Sequence, residues 1–213
     1  MILVNPSFKI EAIMMADAPL QLLEKAGRVC YKSEKKITKN SAKKFVEMLN
    51  KRGHHSVLEH SAMTVRFICD RGVSHELVRH RLCAFSQEST RYCNYKGGVT
   101  FVIPPWCANI EPGEYPISYS SNEPKDQQTW VLAMQEAEDN YLYLLHIGWK
   151  PQQARTVLPN SLKTEIIVTA NFREWQHIFR LRCSKAAHPQ MREIMSPLLS
   201  KCKKTIPVIF KDI

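Results

Sequence analysis

The sequence predicts an α/β (α+β) protein in which a mixed sheet is flanked by helices. Short stretches in which apolar and polar residues alternate, such as residues 61–69, predict strands. Longer stretches with apolar residues three and four positions apart, such as residues 124–148, predict helices. The 213 residues show no break in composition. We therefore expect residues 1–213 to form a single domain with a substantial core.

The first half of the chain alternates predicted strands with predicted helices. Residues 2–4 predict a short strand, and Asp17 is suited to cap the helix that follows. A second helix is predicted over residues 41–53, because the glycine at its end favours the left-handed backbone that closes many helices. The strand over residues 61–69 then leads through a turn at residues 70–72 into a third helix.

Residues 99–148 contain a strand, a loop and a long helix. The apolar residues 99–103 predict the strand, which two prolines end. Residues 104–123 are rich in Pro, Ser, Asn and Glu without a period, so they predict a surface loop to which we assign no chemistry. The helix over residues 124–148 carries an aromatic stripe on its inner face, which is typical of a core or a subunit interface.

The last part of the chain predicts a strand and two helices. Residues 162–170 predict the strand, and Asn171 is placed to cap the helix after it. Pro197 interrupts the apolar spacing of the C-terminal helix. We therefore expect a kink there, or a restart with Ser196 as the N-cap.

The helix after Asn171 has two chemically different sides. Arg173, His177 and Arg180 share one side, which makes that side cationic. Arg182 falls on the other side, among apolar residues. Its side chain either extends to water or holds its charge in a partly apolar pocket.

Three histidines and one glutamate fall within residues 54–60, HHSVLEH. Their spacing fits neither His-Glu-x-x-His nor His-x-x-Glu-His, and no cysteine or carboxylate partner stands at a diagnostic distance in the sequence. We therefore predict no metal site. Ser56 and Glu59 match a capping box instead, so we expect a helix to begin at Ser56, with His54 and His55 in the loop before it.

Residues 70–97 have an unusual density of anion-seeking groups. The apolar positions that recur near helical spacing are Val73, Leu77, Leu82 and Phe85. They predict a helix that carries Arg79, His80 and Arg81 at its far end. If the chain is extended beyond this helix, Gln87, Ser89 and Arg91 lie on one side of it. An amide, a hydroxyl and a guanidinium placed together suit a phosphate monoester.

Charge and composition restrict the class of protein. The net charge of +10 favours anionic partners, which include nucleic acid, an acidic membrane surface and phosphorylated small molecules. The seven cysteines are an odd number without a CxxC pair, which indicates reduced thiols inside a cell. The sequence shows no signal peptide and no run of about 18 apolar residues. We therefore expect a soluble, cytoplasmic protein that does not associate with membranes.

The sequence also excludes two common ways of binding a nucleotide. It contains no GxGxxG after a predicted strand and no phosphate loop that ends in Gly-Lys-Ser/Thr. A dinucleotide would therefore have to be held by side chains. The scattered Arg, His and Asn candidates suit a site at a subunit interface better than one pocket in one chain.

The sequence contains an Arg-His-Arg triplet at residues 79–81, formed by Arg79, His80 and Arg81. After seven intervening residues it is followed by Ser89. This pattern resembles the signature of the flavin-dependent thymidylate synthases. The flanking residues SHELV and TRY, and the Ala-Arg-x-x-Leu-Pro at residues 154–159, are also similar to that family. The resemblance extends over about residues 50–195.

The resemblance implies a FAD-dependent enzyme that methylates dUMP to dTMP. The carbon donor would be 5,10-methylenetetrahydrofolate, and NADPH would reduce the flavin. It also implies a homotetramer in which several subunits contribute to each flavin and nucleotide site.

Particular residues acquire roles from this resemblance. The implied dUMP-binding residues are Glu76, Arg79, Gln87, Ser89, Thr90, Arg91, Arg155 and Arg182. The implied FAD-binding residues are His54, Ser56, Arg79, His80, Arg81, Gln87, Asn171, Arg173 and His177. Arg182 is the implied catalytic residue, because a guanidinium beside the uracil ring can stabilise the negative charge that the reaction places on it.

Two alternatives stay open at this point. The charge, together with Tyr92 and Tyr95 between the cations Arg91 and Lys96, also suits a basic nucleic-acid-binding protein, although no such signature is present. The other alternative is a related flavin- and folate-dependent nucleotide methyltransferase, or one that uses a different carbon donor.

Overall fold

The structure is a computed structural model of the chain, and it describes residues 1–13, 18–115 and 124–213. The α-helices of these residues are α1 Ala18–Tyr31, α2 Ser41–Lys51, α3 Arg71–Leu77, α4 Lys125–His146, α5 Pro151–Ala154, α6 Phe172–Arg182, α7 Pro189–Thr205 and α8 Pro207–Phe210. Short 3₁₀ helices cover Glu34–Lys36, His55–His60 and Arg155–Val157.

The strands form two sheets. They are β1 Ile2–Val4, β2 Ser7–Ile13, β3 Ala62–Asp70, β4 Ala84–Gln87, β5 Thr100–Val102, β6 Gly113–Glu114 and β7 Lys163–Asn171. In the first sheet β1 pairs with β5 in parallel and with β6 in antiparallel orientation. The second sheet has the strand order β2-β3-β7-β4. The predicted α+β class with mixed strand pairing is confirmed, in two sheets instead of one.

One compact unit comprises residues 1–7, 67–79 and 86–166. In its core the long helix α4 packs on the first sheet. The buried side chains of this contact include Leu3, Phe101, Val131 and Tyr141. Glu138 of α4 accepts a hydrogen bond from the backbone N–H of Val99 at 2.6 Å, so this buried carboxylate has a partner. The inner stripe of α4 is therefore core, as its sequence predicts.

The other compact unit comprises residues 8–66, 80–85 and 167–213. Helix α6 anchors its core through Trp175, Ile178 and Phe179, all of them buried. The indole N–H of Trp175 donates to the Met63 carbonyl of β3 at 3.0 Å, and the ring of Phe210 from α8 meets Phe179 edge-on. This packing fixes the orientation of α6, whose remaining sides carry several of the predicted functional residues.

Two local predictions are confirmed in detail. Strand β3 alternates as predicted, with Met63, Val65 and Phe67 buried on one face. Asn171 caps α6, because its side chain accepts a hydrogen bond from the backbone N–H of Glu174 at 2.8 Å.

The helix before Arg79 is shorter than predicted. Asp70 accepts a hydrogen bond from the backbone N–H of Val73 at 2.7 Å, so it caps α3 directly and no turn separates β3 from the helix. Helix α3 ends at Leu77, and residues 79–81 lie in the loop after it. Because the helix has already ended, Leu82 is 76% exposed instead of buried.

The segment after Gln87 turns instead of extending. The carbonyl of Ser89 accepts hydrogen bonds from the backbone N–H groups of Tyr92 at 3.1 Å and Cys93 at 2.8 Å. The Ser89 hydroxyl accepts the N–H of Arg91, and such local bonds compete with strand formation. The prediction that Gln87, Ser89 and Arg91 share one face of an extended chain is therefore wrong.

The capping box predicted at Ser56 does not form. The 3₁₀ helix begins one residue earlier, at His55, and its N-cap residue His54 makes no side-chain capping bond. Glu59 pairs with Arg173 at 2.6 Å, so its carboxylate is directed to a guanidinium instead of the start of its own helix.

Helix α7 continues through Pro197, so the predicted restart at Ser196 is wrong. A proline within a helix removes one backbone hydrogen bond. The flanking Ile194, Met195 and Leu198 are buried, and this packing keeps the segment helical despite that loss.

The sequence interpretation missed strands β2, β4 and β6, and Phe85, which was predicted to lie on a helix, lies in β4. The predicted loop at residues 104–123 contains β6 and the buried residues Cys107 and Ile110. The predicted cap Asp17 and residues 116–123 lie outside the described residues.

Within residues 1–13, 18–115 and 124–213, none of the helices has both the length and the apolar character needed to cross a membrane.

Candidate functional site

The first candidate site is a pocket of about 220 Å³ in the first unit, which we call the Arg155 pocket. Its polar lining residues are Arg71, His75, Thr90, Arg155, Thr156 and Asn160. Among the described residues that line it, none is acidic. Nη1 of Arg155 donates to the hydroxyl of the buried Thr90 at 2.8 Å. The pocket therefore presents cations and hydroxyls to any molecule that enters it.

Secondary structure positions the groups of this pocket. Arg71 and His75 are four residues apart on α3, so they lie on the same face of the helix. The backbone N–H of Arg71 donates to the Asn160 carbonyl at 2.8 Å, which joins the start of α3 to the loop before β7. Guanidinium forks and hydroxyl donors in this arrangement suit the phosphate of a nucleotide monoester.

Gln87 lies in a hydrogen-bond network of the same unit. Its Nε2 donates to the hydroxyl of Ser74 at 2.9 Å and to that of Thr164 at 3.1 Å. Nη1 of Arg71 also contacts the Thr164 hydroxyl, at 3.4 Å. Gln87 therefore holds the Thr164 hydroxyl that Arg71 also contacts. Gln87 does not itself line the pocket.

The second candidate site is a cleft of about 640 Å³ beside α6, in the second unit, which we call the α6 cleft. Its lining residues are His55, Glu59, Leu82, Asn171, Arg173, Glu174, His177 and Arg180. Arg173, His177 and Arg180 share the exposed side of α6, as predicted. The cleft also includes the N-terminal end of α6, where backbone N–H groups and the helix dipole favour negative charge.

Arg182 leaves α6 on a different side and is half-buried. Its Nε donates to Nε2 of His80 at 2.9 Å, and the His80 ring is only 6% exposed. Nδ1 of His80 lies 3.5 Å from the Glu174 carboxylate. Arg182 is thus held against a buried imidazole. Of the two alternatives that the sequence left open, extension to water or a partly apolar pocket, this contact favours the pocket.

Burial sets the protonation of these groups. Burial, followed by the charges of Arg182 and His177, lowers the pKa of His80 to about 4, so its imidazole is neutral near pH 7. Burial raises the pKa of the Glu174 carboxyl, and His177 partly offsets that increase.

The remaining predicted residues line neither pocket. They are His54, Ser56, Glu76, Arg79, Arg81, Ser89 and Arg91. Nδ1 of His54 lies 2.9 Å from the Tyr31 hydroxyl, and the two rings stack. Arg79 and Arg81 are exposed, and the guanidinium of Arg91 lies over the ring of Tyr92. Neither the Arg155 pocket nor the α6 cleft therefore brings all the predicted residues together among the described parts of the chain.

Sequence reasoning missed Arg71, His75 and Glu174. The four-residue spacing of Arg71 and His75 could have been found by testing the cationic residues for a common helix face. Glu174 is harder to find, because an acid in the first turn of a helix is explained by the helix dipole alone.

Both candidate sites contain several cationic side chains, and neither is built on a glycine-rich loop. A family described as "Thymidylate synthase complementing protein" (Thy1) matches residues 12–208. That match covers most of the 213 residues, so the chain belongs to this family.

Individual relatives agree with the family match. A flavin-dependent thymidylate synthase of Geobacter sulfurreducens is 35% identical over 212 residues, which is 96% of this chain and 86% of the relative. Proteins of the same name from Mycobacterium avium and Mycobacterium tuberculosis are 32% identical over 202 residues, covering 92% of this chain and 80% of each relative.

Proposed function

We propose that this protein is a flavin-dependent thymidylate synthase. It methylates dUMP to dTMP, with 5,10-methylenetetrahydrofolate as the carbon donor, NADPH as the reductant and FAD as the cofactor. The observation that carries this proposal is the family match across residues 12–208, which include both candidate sites. The match favours an enzyme over the alternative of a basic nucleic-acid-binding protein.

The Arg155 pocket is the proposed site of the dUMP phosphate. It combines two guanidiniums with hydroxyl donors, and none of its described lining residues is an acid that would repel the anion. Thr90 and Arg155 were both expected to bind dUMP, and they are hydrogen-bonded to each other in this pocket. Each charge-assisted bond to phosphate contributes about 1.5–3 kcal/mol.

The α6 cleft is the proposed site of FAD. Its volume falls within the range of about 300–1,000 Å³ that is usual for ligand and cofactor sites. Arg173, Arg180 and the N-terminal end of α6 can bind the pyrophosphate, and Asn171 and His177 offer further hydrogen bonds. When bound and reduced, the flavin supplies the hydride that the methylation consumes.

Arg182 is the proposed catalytic residue. Carbon 5 of uracil is a weak nucleophile, and carbon 6 is a poor hydride acceptor, until negative charge can spread over the ring. A guanidinium beside the ring carbonyl and ring nitrogen stabilises that charge, as the donors of an oxyanion hole do. The bond from Nε of Arg182 to His80 holds the planar group in one orientation.

We also propose a homotetramer in which residues 79–92 complete a site together with another copy of the chain. In this segment Leu82 is 76% and Tyr92 78% exposed, and both lie beside exposed arginines. Large apolar side chains next to arginine are typical of contact surfaces between proteins. Dilution to monomers should release FAD, and a monomer that keeps its FAD would contradict this assembly. A single domain and a cytoplasmic location remain predictions from the sequence.

The decisive experiment is an assay of dUMP methylation by the purified protein. We expect dTMP to form when methylenetetrahydrofolate and NADPH are both present, and activity to depend on FAD after the protein has been stripped of flavin. The absorbance of bound flavin provides an independent measurement. A protein that binds flavin but forms a product other than dTMP would indicate a related nucleotide-modifying enzyme.

A further inference from the structure

Three polar side chains, those of Glu174, His80 and Arg182, lie in contact one after another. His80 lies in the middle, with Nε2 2.9 Å from Nε of Arg182 and Nδ1 3.5 Å from the nearest carboxylate oxygen of Glu174. His80 is 6% and Glu174 7% exposed, so both are largely shielded from water. A buried carboxylate and imidazole in contact interact more strongly than an exposed pair.

The chemistry of the donors determines the state of His80. The Nε of arginine can only donate, so Nε2 of His80 must accept. A protonated imidazole has no acceptor atom, which means that His80 is neutral and carries its single proton on Nδ1. That N–H faces Glu174. The negative charge of Glu174 favours this tautomer, as the aspartate of a Ser-His-Asp triad does for its histidine.

We propose that Glu174 and His80 are positioning residues that hold the guanidinium of Arg182 in its working orientation. Glu174 selects the tautomer of His80, His80 accepts the Nε–H of Arg182, and the rigid plane of the guanidinium then fixes the direction of its two terminal nitrogens. This inference rests on the proposed function, which makes Arg182 the catalytic residue. Neither Glu174 nor its contact with His80 was expected from the sequence.

Metal binding is the alternative function of the same residues. Ligand atoms of His80, Glu174 and His177 lie within 4.8 Å of one another. A metal between His80 and Glu174 would need the lone pair of Nδ1, and Nε2 would then carry the proton. Two N–H groups, from His80 and Arg182, would face each other across the 2.9 Å contact. The hydrogen bond from Arg182 to His80 therefore favours positioning over metal binding.

The first test is Glu174→Gln, which keeps the shape of the side chain and removes its charge. We expect kcat for dUMP methylation to fall about 10- to 100-fold, as is usual when a supporting contact behind a functional group is lost. The KM for dUMP should stay within about twofold, because kcat alone reports an interaction made in the transition state. FAD should bind at least as tightly, because the change removes a negative charge from the α6 cleft.

Glu24→Gln is the matched control. Glu24 is another buried carboxylate of the same unit, 1% exposed, and its partners are Arg28 and Ser41. Loss of this charge should lower the Tm without changing kcat. If Glu174→Gln and Glu24→Gln lower kcat equally, the effect of Glu174 is general destabilisation and the proposal fails.

A second pair of variants tests His80 itself. His80→Gln offers an amide oxygen that can accept the Nε–H of Arg182, whereas His80→Leu offers no acceptor. We expect His80→Gln to retain at least about tenfold more kcat than His80→Leu, a difference that corresponds to about 1.4 kcal/mol. Equal activities of the two variants would overturn the proposal.

Nitrogen-15 NMR of histidine-labelled protein separates this inference from the proposed function. The shifts of His80, assigned by their absence in His80→Gln, should report a proton on Nδ1 in the unchanged protein and a mixture of tautomers in Glu174→Gln. A proton on Nε2 in the unchanged protein would refute the positioning chain even if dTMP forms. Failure to form dTMP would refute the proposed function and leave the tautomer measurement valid.

Discussion

The Arg155 pocket and the α6 cleft differ in size and in the charges of their described lining residues. The Arg155 pocket has a volume of about 220 Å³, and its charged lining residues are cationic. The α6 cleft has about 640 Å³ and mixes cations with the carboxylates of Glu59 and Glu174. A small pocket whose described lining residues include no acid suits a single phosphate, whereas a larger cleft of mixed charge suits an extended ligand with several kinds of polar group. Variants that change the binding of dUMP but not of FAD, or the reverse, therefore test whether the two ligands use different sites.

The largest effect should follow the change Arg182→Lys. Lysine keeps the charge but not the planar fork, and its ammonium cannot make the same bond to His80. We expect kcat to fall at least about 100-fold, the usual effect of losing one group that stabilises developing charge. The dissociation constants of dUMP and FAD, measured by calorimetry, should change far less. Equal losses in kcat and in dUMP affinity would assign Arg182 to ground-state binding.

A smaller effect, confined to the nucleotide, is expected for Arg155→Ala. Loss of one charge-assisted bond of about 1.5–3 kcal/mol should raise the KM for dUMP roughly 10- to 150-fold. FAD content, read from flavin absorbance, should not change, because Arg155 lies in the Arg155 pocket and not in the α6 cleft. Arg155→Lys should have an intermediate KM. Flavin loss in Arg155→Ala would contradict the division between the two sites.

The converse experiment changes a residue of the α6 cleft and leaves the Arg155 pocket unchanged. Arg173 is exposed and pairs with Glu59, so its net contribution to anion binding is moderate. We expect Arg173→Ala to weaken FAD binding about 3- to 15-fold, a loss of roughly 0.6–1.6 kcal/mol, while the KM for dUMP stays constant. Glu59→Gln is the control, because it removes a negative charge from the same cleft. FAD should bind at least as tightly to that variant, and weaker binding would show that Glu59 itself contacts the flavin.

The same two regions show what a sequence can predict. The strand over residues 61–69, the cap at Asn171 and the cationic side of α6 follow from local patterns, and all three are confirmed. The loop after α3 does not follow from such patterns, since Leu82 continued the apolar spacing although the helix ends at Leu77. The contact between His80 and Glu174 joins residues 94 positions apart. No local period encodes a contact of that kind.

The pH dependence of the Tm tests the lowered pKa of His80, which lies on the buried side of α6. The pKa of His80 is lowered to about 4, from 6.5, and the groups that face it are Glu174, His177 and Arg182. The unfolded chain therefore binds a proton below pH 6.5 that the folded protein does not bind until about pH 4, so stability is lost as the pH falls through this range. Relative to His80→Gln, the unchanged protein should lose a few degrees of Tm between pH 7 and pH 5, by scanning fluorimetry. A constant difference in Tm would mean that His80 has the same pKa in the folded protein and in the unfolded chain.

The smallest effect is expected for Ser89→Ala, which decides between a serine that anchors the substrate and one that attacks it. A serine nucleophile needs a base within hydrogen-bond reach or another device that lowers its pKa. In the structure the Ser89 hydroxyl accepts the backbone N–H of Arg91 at 3.3 Å, and the Ser89 carbonyl closes the same turn. His80, the histidine of the neighbouring triplet, has Nε2 engaged with Arg182 and Nδ1 3.5 Å from the Glu174 carboxylate. His80 is therefore not available as a base for Ser89.

Ser89 thus shapes a turn. We predict that its hydroxyl also offers one neutral donor to dUMP. Because a hydrogen bond of this kind contributes about 0.5–1.5 kcal/mol, Ser89→Ala should raise the KM for dUMP roughly 2- to 12-fold and leave most of kcat intact. Steady-state kinetics at saturating dUMP, on protein with a full complement of FAD, provide the measurement. Ser89→Gly also removes the hydroxyl. Its KM for dUMP should equal that of Ser89→Ala if the loss of the donor, and not a change in the turn, raises the KM. Turnover that disappears in a folded, flavin-loaded Ser89→Ala protein, or a covalent adduct on Ser89, would show that the serine attacks the uracil ring.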